Sequence, residues 1–316
     1  MKIVILDRES IGFDTPLDEL SELGTLDIYD STSPADIPER TKDANVIIIN
    51  KVRITSEIIE NAKCLQLICV FATGYDNIDI EAAKRHGVAV CNVPGYSTDS
   101  VTACTVSTTL ALLTNLRVYN NYVISGEYST SGKPNMLTPV FHDASGKTWG
   151  IVGCGDIGGS VAKVATALGA NVITYQRHKH PFYPTVSLDE LCAKSDIITI
   201  HCPLNNESRA LINASNIQKM KSNVILVNAA RGAVLDEAAI ASAVKEGRIG
   251  GFGCDVYSTE PFPADHPYSE IKSLDNVLLT PHCAWGSFEA RSKCIEIIRS
   301  NISTFYNGKI LNRVDI

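Results

Sequence analysis

Residues 148–175 have the sequence TWGIVGCGDIGGSVAKVATALGANVITY, and this stretch determines the fold that we expect. An apolar segment precedes three glycines in the pattern GxGxxG, at Gly153, Gly155 and Gly158, and a helical segment and a second apolar segment follow. Gly153 permits a tight turn, Gly155 lets a pyrophosphate approach the backbone, and Gly158 lets helix and strand pack closely. The pattern alone is common, but its place between a strand and a helix predicts a dinucleotide-binding fold.

The same alternation of short apolar segments and amphipathic stretches continues along the whole chain. The apolar segments are KIVIL, NVIII, LQLICV and VAVCN in the first hundred residues, and NVITY, DIITI, NVILVN and NVLLTP later. This alternation is typical of buried parallel strands joined by crossover helices. We therefore predict an α/β protein with two doubly wound parallel sheets.

Two helical segments mark the predicted domain boundaries. After the polar residues 97–100, VTACTVSTTLALLTNLRVYNNYVI predicts one long helix that ends before the stretch GEYSTSGKPN. SFEARSKCIEIIRSNISTFY predicts another helix, closed by Asn307 and Gly308. We expect residues 1–98 and 286–316 to form a flavodoxin-like substrate-binding domain, into which a Rossmann NAD(P)-binding domain of residues 99–285 is inserted.

The composition excludes several classes of function. The 316 residues include 28 basic and 35 acidic ones, with a net charge of -7 and no basic block, so neither nucleic acid nor an anionic membrane is an expected partner. No apolar run approaches the roughly 20 residues of a membrane span, and the start MKIVIL does not have the pattern of a signal peptide. The ten cysteines form no CxxC pair and lie mostly in apolar segments, which predicts reduced core thiols in a cytoplasmic protein without a zinc site.

The residue that contacts the adenosine ribose is expected about 20 residues after the glycine pattern. Gln176 stands 18 positions after Gly158, and Arg177 follows it. An acidic residue there would accept both ribose hydroxyls and repel a 2′-phosphate, whereas a neutral Gln beside basic residues does not. The cofactor is therefore predicted as NAD(H) or NADP(H), with the preference open. The alternative is that the basic residues form a solvated loop with no selective role.

Three apolar segments of the second half end in reactive side chains. VILVNAAR ends at Arg231, GGFGCDV is followed by Glu260, and NVLLTPH ends at His282. The carboxyl ends of parallel strands meet at one edge of a sheet, so these side chains have a common destination. Oxidation of an α-hydroxy acid by a nicotinamide needs a base, a hydride acceptor and a cation for the carboxylate.

The three residue types match those roles. His282 exchanges a proton near neutral pH, Glu260 orients the imidazole, and Arg231 offers a planar, permanently charged fork to a carboxylate. Each has a structural alternative. Arg231 could form a salt bridge, Glu260 could be a turn residue before a proline, and His282 could be a capped core histidine.

Six segments together resemble the D-isomer-specific 2-hydroxyacid dehydrogenases over nearly the full length of the chain. They are FATGYDNIDI (71–80), NVPGYSTDSV (92–101), GCGDIGG (153–159), NAARGAVLDE (228–237), GFGCDVYSTEP (251–261) and TPHCAWGS (280–287). The resemblance implies Arg231, Glu260 and His282 as the catalytic residues. It also implies a homodimer built on the helix after Asp99 and the loop that follows it.

The resemblance extends the candidate binding residues. Asp255 is expected near the nicotinamide carboxamide, and the backbone amides of Thr73 and Gly74 near the substrate carboxylate. The predicted cofactor-binding residues are Gly153, Gly155, Asp156, Ile157, Gly158, Gln176, Arg177, Cys202, Pro203, Ala229, Ala230, Arg231, Asp255 and His282. The predicted substrate-binding residues are Lys51, Thr73, Gly74, Arg231, His282 and Trp285. Alternatively, Lys51 is a solvated surface residue and Trp285 only packs between domains.

Within the family, GYSTDSV and PHCAWGS are most similar to the hydroxypyruvate reductase branch, which implies hydroxypyruvate or glyoxylate as substrate. Cys104 departs from that branch, where many members have His, and the loop of residues 127–143 has no clear match. The alternative activity is the reduction of pyruvate to D-lactate, or of another 2-keto acid. A dinucleotide-sensing protein similar to the C-terminal-binding-protein corepressors is a more distant alternative. Glu260 argues against formate dehydrogenase, in which Gln is expected at that position.

Overall fold

The computed structural model describes all 316 residues. Its strands are β1 (Lys2–Ile5), β2 (Thr25–Ile28), β3 (Val46–Ile49), β4 (Leu67–Val70), β5 (Ala89–Cys91), β6 (Thr148–Val152), β7 (Asn171–Tyr175), β8 (Ile197–Ile200), β9 (Val224–Asn228), β10 (Ile249–Cys254) and β11 (Val277–Leu279). Its helices are α1 (Asp18–Ser21), α2 (Ile37–Thr41), α3 (Ser56–Asn61), α4 (Ile80–Arg85), α5 (Thr98–Leu113), α6 (Leu116–Ile124), α7 (Glu127–Thr130), α8 (Asp156–Ala167), α9 (Leu188–Lys194), α10 (Ala214–Lys219), α11 (Glu237–Lys245) and α12 (Phe288–Tyr306).

The chain divides into two compact units, residues 1–97 with 286–316, and residues 98–285. The first unit contains a parallel sheet in the order β2-β1-β3-β4-β5. Its strands β3 and β4 are buried along their whole length, as expected for parallel strands covered on both faces. The order 2-1-3-4-5 is that of flavodoxin-like proteins.

The second unit contains a parallel sheet in the order β11-β10-β9-β8-β6-β7. Side chains of α5 and α8, among them Leu112 and Val161, pack with Trp149 and Ile151 of β6. A separate cluster includes Leu191 of α9, Ile217 of α10 and Ile240 of α11. Helices therefore cover the sheet on both sides, and the predicted fold class, with two doubly wound parallel sheets, is confirmed.

Two features differ from the sequence predictions. The edge strand β2 was not predicted, because its sequence TLDI alternates polar and apolar residues and none of the four is buried. The predicted long helix after residue 97 is wrong in one respect, since it breaks into α5 and α6, which are bent by 67°. Asn115 at the break has φ of 51°, a left-handed conformation that a short polar side chain tolerates and a helix interior excludes.

The helix after Gly286 was predicted correctly. α12 begins after Ser287, whose side chain accepts a hydrogen bond from the Ala290 N–H, and it ends at Asn307 with Gly308 at a positive φ of 70°. α12 packs on β4 and α1 within the first unit. No single helix of the chain is long and apolar enough to cross a membrane, and only the bent pair of α5 and α6 reaches that length and hydropathy jointly.

Candidate active site

In the second sheet, β6 lies between β7 and β8, so the chain leaves β6 to one side and later returns to the other. Such a reversal opens a crevice at the carboxyl ends of the two strands. The segments that follow β6 and β8 touch there. A Cβ added to Gly153 would lie 2.6 Å from the backbone nitrogen of Cys202, so only glycine fits. Pro203 continues this segment and is exposed.

The glycine loop has the geometry that a dinucleotide pyrophosphate requires. Gly153 has φ of +86°, and a Cβ on Gly158 would lie 2.1 Å from the carbonyl oxygen of Gly153. A Cβ on Gly155 would meet nothing within 4 Å, so open space lies in front of this residue. Asp156 and Ile157 form the first turn of α8, whose N–H groups and dipole favour an anion. The residues present therefore fit the group that the sequence predicts.

At the end of β7, the side chain of Gln176 is used within the protein. Its Oε1 accepts a hydrogen bond from the Cys154 N–H at 3.2 Å, and its Nε2 donates to the His178 carbonyl at 2.7 Å. The neighbouring Arg177 pairs with Glu207 at 2.7 Å, and both side chains are exposed. Position 176 therefore has no carboxylate. The neighbouring cation, Arg177, forms only an exposed ion pair.

His201, directly after β8, is a partly buried titratable residue that the sequence analysis did not select. Both ring nitrogens are shielded from solvent and have no hydrogen-bond partner in the chain. Burial lowers the pKa of His201 to about 3, because desolvation disfavours the charged imidazolium. The imidazole is therefore neutral at physiological pH.

The three predicted catalytic residues follow neighbouring strands, since β9, β10 and β11 are adjacent in the sheet. The structure brings two of them into contact, because Oε2 of Glu260 lies 2.6 Å from Nδ1 of His282. Their side chains are 30% and 25% exposed, so the pair is open on one side. Arg231 makes no ion pair and donates to the Ala230 carbonyl at 2.8 Å. Its guanidinium therefore has no structural salt bridge.

The backbone that carries Arg231 is fixed by Asn228, the buried last residue of β9. Oδ1 of Asn228 accepts from the Ala230 N–H at 3.0 Å, and its Nδ2 donates to the Arg231 carbonyl at 3.0 Å. The turn of residues 228–231, which includes Ala229, is thereby held by one side chain. An asparagine that ends an apolar strand segment, as in VILVN, is the sequence signal that would have identified Asn228 as a candidate functional residue.

His282 has a positive φ of 52°, a conformation that residues with a Cβ rarely adopt. The buried carboxylate of Asp255 holds the adjoining backbone by accepting from the Cys283 N–H at 2.9 Å and the Ala284 N–H at 3.0 Å. Trp285 contributes a further bond, from its indole Nε1 to the His282 carbonyl at 2.8 Å. Asp255 and Trp285 thus have positional roles that the sequence analysis missed, because the hydrogen bonds are between residues of a folded loop.

Cys104 of α5 lies against the same strand ends. With Thr105 and Thr108 it lines a small cleft that also includes Asn228 and Asp255. Burial raises the pKa of the Cys104 thiol, and the negative charge of Asp255 raises it further. The thiol therefore stays protonated beside these strands.

The first unit holds the remaining predicted residues. Thr73 and Gly74 follow β4, and no hydrogen bond within the chain uses their backbone N–H groups. Lys51 follows β3, and its side chain is exposed. Its backbone N–H donates to the buried Asp7 carboxylate at 2.6 Å, which also accepts from the amides of Asn50 and Val52. Asp7 therefore fixes the loop that presents Lys51.

Three features together define a dinucleotide-dependent dehydrogenase: the two parallel sheets, the glycine loop, and the pair of Glu260 and His282 at the strand ends. Residues 106–284 match the family described as D-isomer specific 2-hydroxyacid dehydrogenase, NAD binding domain. The chain belongs to this family. Its cofactor is a nicotinamide dinucleotide, and its substrates are small 2-hydroxy or 2-keto acids.

Individual relatives agree with this assignment. The chain is 34% identical to a hydroxypyruvate reductase of Blautia hydrogenotrophica, covering 100% of both chains. It is 37% identical to a glycerate dehydrogenase of Methylorubrum extorquens, covering 99% of both. Among solved structures, it is similar to a D-lactate dehydrogenase of Aquifex aeolicus in complex with NAD and lactic acid. The TM-score is 0.86 at 27% identity, with 100% of this chain and 99% of that chain covered.

The partly buried His201 predicts a specific loss of stability in acid. The unfolded chain binds a proton at this histidine near pH 6.5, whereas the folded protein binds it only near pH 3. Stability is therefore complete above pH 6.5 and decreases as the pH falls toward 3. Between pH 7 and 5 we expect a loss of about 2 kcal/mol from this group.

The measurement is urea unfolding at several pH values for the wild type and His201→Leu. Between pH 7 and 5, the free energy of unfolding of the variant should decrease less than that of the wild type. His178→Leu, which removes an exposed histidine on the same edge of the sheet, is the control and should keep the wild-type slope. An unchanged slope in His201→Leu would contradict the burial argument.

Proposed function

We propose that this enzyme reduces hydroxypyruvate and glyoxylate, with D-glycerate and glycolate as the products. The observation that carries the proposal is the 2.6 Å contact between Glu260 and His282, at the edge of the sheet where the glycine loop also lies. Two full-length relatives that bear the names hydroxypyruvate reductase and glycerate dehydrogenase support the choice of substrate.

His282 is the general acid of the reduction. Its Nδ1 faces the Glu260 carboxylate, which only accepts hydrogen bonds, so Nδ1 carries a hydrogen and Nε2 is the nitrogen that exchanges a proton with substrate. A bound reduced nicotinamide would supply the hydride that C2 of the keto acid receives. The former carbonyl oxygen takes the proton from Nε2, and the Glu260 charge stabilises the imidazolium that precedes this transfer. In the oxidation direction His282 accepts the same proton.

Arg231 binds the substrate carboxylate and polarises its carbonyl. A guanidinium without an internal ion pair keeps its donors available for this role. Within the first unit, we assign substrate binding to the N–H groups of Thr73 and Gly74, which no hydrogen bond in the chain uses, and to the positive charge of Lys51. Trp285, whose ring is held by the His282 carbonyl, restricts the substrate to a small side chain.

We assign cofactor binding to residues 98–285 and substrate binding to the unit of residues 1–97 and 286–316. Gly153, Gly155, Asp156, Ile157 and Gly158 bind the pyrophosphate, and Gln176 with Arg177 faces the adenosine ribose. The segments Cys202–Pro203 and Ala229–Arg231, with Asp255 and His282, line the remainder of the dinucleotide site. Asp255 acts on the nicotinamide end through the loop that it holds.

A second candidate substrate is pyruvate, with D-lactate as the product. The structural similarity to a D-lactate dehydrogenase bound to lactic acid favours it, because the match covers the full length of both chains. The same residues would carry out this reduction, so only the substrate differs.

Initial rates distinguish the two candidates. We expect hydroxypyruvate and glyoxylate to give a kcat/KM at least about tenfold above pyruvate and phenylpyruvate, which corresponds to roughly 1.4 kcal/mol of discrimination in the transition state. Each keto acid is measured with NADH and with NADPH, which also determines the cofactor preference. A higher kcat/KM with pyruvate would establish the second candidate instead.

His282→Asn tests the acid–base role without loss of the backbone conformation. Asn tolerates the left-handed region, so the variant should fold with wild-type stability. We expect kcat to fall about 10²- to 10⁴-fold, because proton transfer is lost. Binding of the dinucleotide, followed by fluorescence, is the control and should be largely retained, because the other residues assigned to the dinucleotide site are intact. Turnover within about twofold of wild type would refute the role.

We also propose a homodimer that uses α6 and the segment after it. The chain exposes a series of large apolar side chains there, with exposed fractions of 58% for Leu116, 74% for Ile124, 72% for Leu137 and 71% for Val140. Exposed apolar residues this close together are typical of a subunit interface.

Analytical ultracentrifugation tests the dimer. A charge at position 124 opposes burial, so Ile124→Glu should sediment as a monomer under conditions in which the wild type is dimeric. Phe182→Glu is the matched control, because Phe182 is 85% exposed in the same unit but outside α6 and the following segment. A monomeric wild type, or a dimeric Ile124→Glu, would contradict the assignment.

A cytosolic location is consistent with the cysteines. All ten are free thiols, and six of them are buried. Burial raises the pKa of Cys91, Cys154 and Cys192 to about 11, so these thiols stay protonated and unreactive. We therefore propose that the enzyme works in a reducing compartment.

A further inference from the structure

A polar cluster, in which two side chains are nearly buried and one residue is exposed, lies next to the proposed catalytic residues but has no role in the reaction described above. The carboxylate of Glu237, in the first turn of α11, accepts three hydrogen bonds. Ser258 donates from its backbone N–H at 2.9 Å and from its hydroxyl, and Nε2 of His266 donates at 3.0 Å. The side chains of Glu237 and His266 are only 10% and 5% exposed. We call Glu237, Ser258 and His266 the Glu237 clasp.

The hydrogen-bond partners define the charge of the clasp. Nδ1 of His266 accepts from the Tyr268 N–H at 3.1 Å, and a backbone N–H can only donate. The ring hydrogen is therefore on Nε2, where it faces Glu237. Glu237 is an anion that satisfies three donors, and the N-terminus of α11 favours its negative charge. Loss of Glu237 would leave Nε2 of the buried His266 unpaired, and loss of His266 would leave Glu237 with only the Ser258 donors.

The clasp joins the segment after β9, which contains Arg231, to the loop after β10, which contains Glu260. The two segments also touch through Gly232. A Cβ at this position would lie 2.0 Å from the carbonyl carbon of Tyr257 and 2.2 Å from the nitrogen of Ser258. The backbone at residue 232 therefore packs directly on the peptide between residues 257 and 258.

Glu237 and Glu260 bind adjacent amides of that loop. Oε1 of Glu260 accepts from the Tyr257 N–H at 3.0 Å, and Oε1 of Glu237 accepts from the next N–H, that of Ser258, at 2.9 Å. The Tyr257 hydroxyl donates to the Thr280 carbonyl at 2.9 Å, just before His282. A shift of the 257–258 peptide would therefore displace Glu260 from His282.

We propose that Glu237 and His266 are positioning residues for the acid–base pair: the clasp fixes the 257–258 peptide and so holds the Glu260 carboxylate against Nδ1 of His282. This inference rests on the proposed roles of Glu260 and His282. In this proposal, neither Glu237 nor His266 contacts substrate or cofactor, and both act through Glu260.

The first test is Glu237→Gln, which keeps the size of the side chain but replaces an accepting oxygen with a donating NH₂ group. We expect kcat to fall about 10- to 100-fold, the usual effect of losing a group that orients a reactive one. KM for the keto acid and the affinity for the dinucleotide should change less than about twofold. The pH profile of kcat should shift in the same direction as that of Glu260→Gln.

A double-mutant cycle separates positioning from a general structural role. If Glu237 acts through Glu260, the variant Glu237→Gln with Glu260→Gln should be no slower than Glu260→Gln alone. Multiplicative losses in the double variant, or an unshifted pH profile in Glu237→Gln, would overturn the proposal.

Two variants at His266 test the clasp without changing Glu237. They test the proposal even if Glu237→Gln does not fold. His266→Asn keeps an acceptor for the Tyr268 N–H but has no donor that reaches Glu237. His266→Gln places an N–H donor near the position of Nε2. We expect the Asn variant to show the reduced kcat and shifted profile, and the Gln variant to recover most of the activity. Equal kinetics in the two variants would overturn the proposal.

Glu270→Gln is the control. Glu270 also joins the turn of residues 267–270 to α11, through a 2.6 Å ion pair with Lys245, but both side chains are exposed. This variant should keep wild-type kinetics and pH profile. Glu260→Gln tests the proposed acid–base roles separately from the clasp. If its turnover and pH profile equal those of wild type, the proposed acid–base roles fail; if it is impaired while the clasp variants are not, only the clasp fails.

Discussion

The left-handed backbone of His282 is the constraint on which the rest of the site depends. A residue with a Cβ adopts this conformation at a cost of about 1–2 kcal/mol, so the surrounding contacts must enforce it. Asp255 provides most of that enforcement, through two backbone N–H groups and the Thr280 hydroxyl at 2.6 Å. Because the backbone is fixed, the imidazole points Nδ1 at Glu260, and the opposite nitrogen is left for proton exchange. Strain at one residue thus sets the direction of the proposed chemistry.

The sheet determines which loops can contribute to this arrangement. Arg231, Glu260 and His282 are distant in sequence, but β9, β10 and β11 are neighbours in the sheet, and parallel strands end at the same edge. Each loop then needs an anchor of its own, because a loop side chain alone is mobile. Asn228, Glu237 and Asp255 are these anchors, and each is a polar side chain that satisfies backbone donors in a buried position. The proposed cofactor-binding and catalytic residues therefore lie at one edge of the same sheet.

The sequence was sufficient for the features that depend on local pattern. Buried strands such as β8 and β9 are continuous apolar runs, and the glycine loop is a short motif whose first and third glycines, Gly153 and Gly158, meet a steric requirement. It was insufficient where tertiary contacts decide. The edge strand β2 has no apolar run, Asn115 breaks a helix that its neighbours favour, and the partners of Glu237 lie 21 and 29 residues away. The sequence predicts Arg231, Glu260 and His282 as the catalytic residues, but it does not predict the anchoring roles of Asn228, Glu237 and Asp255.

We expect cofactor selection to depend on the charges near the end of β7. A carboxylate there would repel a 2′-phosphate, but Gln176 is neutral and its amide is occupied by the glycine loop itself. Arg177 offers a positive charge and Glu207 a negative one, and they lie 2.7 Å apart on an exposed surface. Such a pair is worth about 0–1 kcal/mol, so a phosphate can replace Glu207 as the partner of Arg177 at little cost. We therefore expect the dinucleotide site that we propose at this edge to accept both forms of the cofactor.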